Sequence, residues 1–132
     1  MIFSDFSPRH IPALFIAFIQ TFGGLWPIFG STSAAMREFG LPARIADSRE
    51  AQTAFIVGAG RTTVIGVIMY TLYFQGKYHN VDSVLLILGT IVGAVDGYVC
   101  AREGVARWGA VRSGSGLAIA LWGWFGMTAG TT

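Results

Sequence analysis

Four long apolar stretches separated by short polar ones make up most of this chain. Residues 11–29, 51–74, 81–101 and 108–128 carry few formal charges. Each is long enough to cross a hydrocarbon core of about 30 Å as a helix rising ~1.5 Å per residue. Pro12 suits a first helical turn, and Pro27 stands near the far end of its stretch, where a kink costs least. Trp26, Trp108, Trp122 and Trp124 are placed to mark membrane interfaces. The predicted architecture is an all-α membrane protein, a four-transmembrane-helix bundle forming a single domain over residues 1–132. The small residues at 31–35 also fit a signal-peptide cleavage site. The apolar run before them, however, exceeds the ~7–15-residue core of such peptides, and more spans follow.

The polar pieces are short. Residues 1–10 form a polar lead, 75–80 a turn with Lys77, Tyr78 and His79, and 102–107 a charged turn. The longest connection, residues 30–50, contains Gly40-Leu41-Pro42, which predicts a turn and a helix stop. Its charges nearly cancel, so it reads as a solvated loop, the alternative being an interfacial piece that closes one mouth of the bundle. Asp82, at the rim of the third span, needs no special partner on this reading.

Composition agrees with the pattern. The chain is 53% hydrophobic and 12% charged, where a soluble protein carries roughly 25% charged residues, and the mean hydropathy is +0.58. The net charge of +2 is scattered, with no basic run for nucleic acid to bind. A single cysteine, Cys100, excludes an intramolecular disulfide framework. His10 and His79 lie on different segments, no metal-ligand set is evident, and no cofactor motif appears. Arg37, Arg44, Arg49, Arg102 and Arg107 share one side of the four-span arrangement, with only Arg9 and Lys77 on the other. The positive-inside rule then places both arginine-rich loops in the cytoplasm and both termini in the lumen or outside.

The third span carries the most information. Gly89, Gly93 and Gly97 recur every four residues and line one helix face, where another helix can approach closely. That face also leaves room for a homo-oligomer. Asp96 lies beside the ladder. An ionised carboxylate among lipid tails costs at least ~2.5–3.5 kcal/mol, so it is expected to face protein and to have a partner. By helix rise, Arg61 lies about 15 Å, Asp96 about 9 Å and Arg112 about 6 Å in from the arginine-rich side. All three can therefore converge. Two arginines need a further acid: Glu103 follows Asp96 by seven residues on the same face, and Glu50 shares the face of Arg61 from eleven residues before it. Such pairs can simply tie helices in register. Three ionisable residues in one half of a small bundle exceed that need and point to a site.

A buried carboxylate with arginines in an apolar pocket suits acid–base chemistry on a lipophilic molecule. The carboxylate can deprotonate a water while an arginine stabilises the developing oxyanion. Epoxide opening needs both at once. No Ser-His-Asp arrangement, nucleophile elbow or phosphate loop is present. The motifs Gly40-Leu41-Pro42, Gly60-Arg61, Gly93-x-x-Asp96 and Arg112 resemble a family of small four-helix membrane proteins of unknown function found in fungi and bacteria, over roughly residues 20–128. The chain departs from that family at Thr62, where many members have Asp after the arginine, and at Arg112, where His is frequent. Some fungal members are similar to membrane proteins of polyketide clusters assigned to epoxide opening. The resemblance implies a hydrophobic, polyketide-like substrate, an endoplasmic-reticulum membrane in a fungal cell, and roles for Arg61, Asp96 and Arg112. Two other classes stay open: a non-catalytic accessory subunit, and a small proton-linked carrier.

Overall fold

Gly89, Gly93 and Gly97 bring two helices together backbone to backbone, and the rest of the fold is arranged around that contact. The structure, a computed structural model, describes residues 6–130; the first half of the polar lead lies outside the described residues. A 3-10 turn (Pro8–His10) leads into α1 (Ile11–Gly23), α2 (Trp26–Phe29), α3 (Thr32–Phe39), α4 (Ala43–Ala46), α5 (Arg49–Phe74), α6 (Tyr78–Arg102) and α7 (Ala106–Trp124). The described residues contain no strand. Three helical segments are long and apolar enough to cross a membrane: Pro8–Phe29, Arg49–Phe74 and Tyr78–Arg102. α7 falls short of that apolarity, because Arg107, Arg112 and several glycines and serines dilute its apolar half. Phe15, Phe18, Val57, Val64, Ile87, Ile91, Val95 and Leu117 are each more than half exposed. An apolar exterior of this kind suits a bilayer.

α7 runs antiparallel along α6. A Cβ added at Gly116 would lie 2.6 Å from the Gly89 carbonyl oxygen and 2.7 Å from the Gly93 Cα. One added at Gly109 would lie 2.9 Å from the Gly97 carbonyl oxygen, and one at Gly123 would lie 2.7 Å from the Leu86 amide. Ser113 Oγ donates to the Gly93 carbonyl at 3.0 Å across the same seam. The glycine ladder is thus filled by α7 of the same chain, and this face is not left for an oligomer partner. Only residues without side chains allow so close an approach.

α1 and α5 form the second pair, through Ala17, Thr21 and Gly24 against Ala59, Thr63 and Gly66. Thr63 Oγ1 donates to the Thr21 carbonyl at 3.0 Å. The first apolar stretch is not one unbroken helix: α1 stops at Gly23 and α2 resumes at Trp26 with Pro27 in its first turn. The two pairs meet through Ala13, Ala17, Met69, Tyr73, Val81 and Leu85, all buried.

Polar anchors close that end. His10 is fully buried, with Nδ1 3.0 Å from the Tyr73 hydroxyl. Asp82, read from the sequence as an ordinary rim residue, is 3% exposed. Its carboxylate accepts the backbone N–H groups of Thr128 at 3.0 Å and Ala129 at 2.9 Å. Arg9 donates to the carbonyls of those same two residues. The chain after Trp124 therefore turns back onto α6, and the fourth apolar stretch ends as a helix earlier than its hydropathy predicts.

At the opposite end, residues 30–50 are not a solvated loop. Ser31 Oγ accepts the Ala34 N–H and caps α3. α3 stops at Gly40, whose φ of 112° favours glycine. Gly40 rests on the Trp108 ring, so the connection packs across the start of α7.

Two measurements check this packing. Gly116→Leu should lower stability in detergent by about 1–3 kcal/mol through overpacking. Gly114→Leu, two residues away with open space around it, should leave the melting temperature nearly unchanged. Asp82→Asn retains one acceptor oxygen of two and should speed amide exchange at Thr128 and Ala129 by at least tenfold, a loss of ~1.5–3 kcal/mol for a charged hydrogen bond.

Candidate functional site

Because Gly93 meets Gly116 on antiparallel helices, the residue three further along α6 and the one four earlier on α7 face each other across the same seam. These are Asp96 and Arg112. Arg112 NH1 lies 3.5 Å from Asp96 Oδ2. The side chains are only 17% and 32% exposed, Asp96 being the deeper. Arg112 has two further partners, both from α3. Its Nε donates to the Phe39 carbonyl at 2.9 Å, and its guanidinium carbon lies 3.7 Å from the centroid of the Phe39 ring. The Phe39 carbonyl belongs to the last turn of α3, where helical carbonyls lack amide partners and carry partial negative charge. A cation is well placed there. The Phe39 ring in turn packs edge-on against Phe55 of α5, with centroids 5.8 Å apart.

Beside the pair lies a half-open cleft of about 210 Å³. Asp96 and Arg112 form part of its wall together with Gln20 of α1, Glu38 of α3 and Ser115 of α7. Leu88, Val92, Val111 and Ile119 supply an apolar floor. Convergent polar groups on an apolar lining are a feature of small-molecule sites, which are commonly larger than this one.

The structure brings together two of the five residues singled out from the sequence. Arg61 is exposed and makes no ion pair or side-chain hydrogen bond. Helix rise gave its depth, but rotation decides its direction. α5 turns Thr63, Gly66, Met69 and Tyr73 inward, and Arg61 precedes Thr63 by two residues, about 200° round the helix. Glu103 also misses Asp96. Seven residues place it about 10 Å further along the axis, at the end of α6, which stops at Arg102. There its carboxylate pairs with Arg44 at 3.1 Å and Arg102 at 3.5 Å. Glu50 is exposed in the first turn of α5, accepting at most a 3.4 Å contact from Ser48 Oγ.

Sequence reasoning missed Glu38, Gln20, Ser115 and the Phe39 carbonyl. Glu38 and Phe39 directly precede the Gly40 helix stop, the one local signal that could have singled them out. Gln20 was hidden inside an apolar run. Among the described residues no group of three or more His, Cys, Asp or Glu side chains could hold a metal ion.

Removing either member of the pair has unequal consequences. Arg112→Ala should cost about 1–3 kcal/mol by leaving the Asp96 carboxylate and the Phe39 carbonyl unmatched. Asp96→Asn keeps an acceptor facing Arg112 and should cost less than ~1 kcal/mol, as thermal melts of both variants in one detergent would show.

The family model described as Domain of unknown function (DUF4267) matches residues 17–126. No curated protein and no solved structure matches the chain.

Proposed function

We propose, for a chain that belongs to the DUF4267 family, a small membrane-embedded enzyme that binds a lipophilic molecule in its lateral cleft and acts on it through Asp96 and Arg112. In this reading α7 is a fourth span. Its support is the pairing with α6, which extends from Gly109 beside Gly97 to Gly123 beside Leu86. A helix held along nearly the whole of a membrane-crossing neighbour crosses with it. The positive-inside rule then turns the mouth covered by α3 towards the cytoplasm.

One observation carries the reading: the Asp96–Arg112 pair is in the wall of a half-open apolar cleft. That placement leaves both charges within reach of a small molecule entering a space of about 210 Å³. The reaction class that uses both charges is ring opening of an epoxide by water. Asp96 takes a proton from the water as its oxygen attacks one ring carbon. The carbon–oxygen bond breaks, and Arg112 stabilises the alkoxide that forms. The proton then passes from Asp96 to the alkoxide, so one water is added and a diol results. Arg112 is prepositioned for this by the Phe39 carbonyl and ring. Glu38 and Gln20 supply polar contacts to the substrate at the cleft edge.

The same contacts favour one other reading, in which Arg112 is a strut that fastens α3 to α6 and α7 and nothing is turned over. Turnover of a panel of lipophilic epoxides in oxygen-18 water by purified protein separates the two. With a catalytic site, wild type yields labelled diol and folded Asp96→Asn loses at least ~100-fold in rate, the lower bound for general acid–base catalysis. Unlabelled cyclic product would mark internal attack instead of water. Equal rates from both proteins would assign Asp96 to the strut.

A further inference from the structure

The cation that the cleft does not use lies on the outside of the same membrane half. Arg61 is exposed on α5 in a stripe with Val57, Val64 and Ile68, which are 54%, 56% and 45% exposed. Among the described residues it has no hydrogen-bond or ion-pair partner. A guanidinium facing lipid near the middle of a 26-residue helix is costly. Its neighbours Gly58 and Gly60 are open: a Cβ built at either would meet nothing within 4 Å. Gly58, three residues before Arg61, shares its face, so the backbone there is bare, with room for another helix.

Unused negative charge is found at the cleft. Glu38 is exposed and has no ion pair, and Asp96 has only the 3.5 Å contact of one oxygen with Arg112. Three other carboxylates have firm partners: Asp82 two backbone amides, Asp47 Arg37 at 2.7 Å, and Glu103 Arg44; Glu50 is exposed too, but at the start of the same helix as Arg61. The depths also agree. Phe39 touches both Arg112 and Phe55, which puts the cleft carboxylates at the level of Phe55. Arg61 lies six residues beyond Phe55, about 9 Å deeper. A long side chain reaching back towards the interface spans most of that offset.

We propose that copies of this chain associate in the membrane with the Gly58–Arg61 face of one seated over the cleft of the next, Arg61 pointing to Glu38 and Asp96. Copies inserted with the same orientation hold these groups at matching depths. Each cleft then gains a cation from its neighbour and is roofed by that neighbour's α5. This is independent of the reaction assigned to the cleft.

The test uses full-length protein in liposomes at graded protein-to-lipid ratios, with subunit number read by single-molecule photobleaching. Wild type should associate. Arg61→Glu should raise the dissociation constant at least tenfold with helix content unchanged, because Arg61 makes no hydrogen bond or ion pair with the other described residues. Adding Glu38→Arg to Arg61→Glu should restore association. Oxidation of co-reconstituted Gly58→Cys and Ser115→Cys proteins should give mixed dimers, since Cys100 is buried. The proposal is overturned if wild type stays monomeric at every ratio, if Arg61→Glu associates as well as wild type, or if Gly58→Cys cross-links only to itself.

Discussion

Everything in this molecule follows from how closely α6 and α7 approach. In a bilayer, lipid tails are as apolar as leucine, so burying apolar side chains gives helices little reason to associate. Backbone contact through Gly89, Gly93 and Gly116 supplies that reason instead, through packing that any side chain would prevent. The contact also fixes rotation and register together. Once Gly93 meets Gly116, Asp96 and Arg112 must flank the seam, and the two charges come within 3.5 Å.

The two ends of the bundle are held by different means. One end is closed by polar groups that satisfy backbone: Asp82 accepts two amides of the final turn, and Arg9 donates to the carbonyls of the same residues. Around His10 and Tyr73 the α1–α5 and α6–α7 pairs share one buried core. At the other end, α3 lies over the start of α7, fastened by Gly40 on Trp108 and by Arg112 on Phe39. Between these closures the pairs leave a cleft, and the charged pair borders it because the seam does.

The two arginines within the long helices, Arg61 and Arg112, show how helix rotation leads to unequal roles. Arg112 belongs to a helix whose glycines face α6, so a residue four positions before Gly116 is drawn to the seam. Arg61 belongs to a helix whose inward face is set by Thr63, Gly66, Met69 and Tyr73. It lies about half a turn away and faces out. Glycines flank both arginines, but Gly109 and Gly116 beside Arg112 are filled by a neighbour, whereas Gly58 and Gly60 beside Arg61 are bare.

Taken alone, the sequence pointed to the solvent. Long, sparsely charged apolar runs suit lipid, and period-four glycines beside Asp96 marked the third run as a close-packed helix with a carboxylate facing protein. It also marked Arg112, because that residue falls in the same half of the bundle. Tertiary structure alone decided rotation. Depth follows from counting residues along a helix, whereas direction depends on which side each neighbour occupies, and Arg61 was misplaced for that reason. The roles of Phe39 and Asp82 were likewise invisible, since a backbone carbonyl or amide is common to every residue and becomes a partner only when the fold leaves it free at the right place.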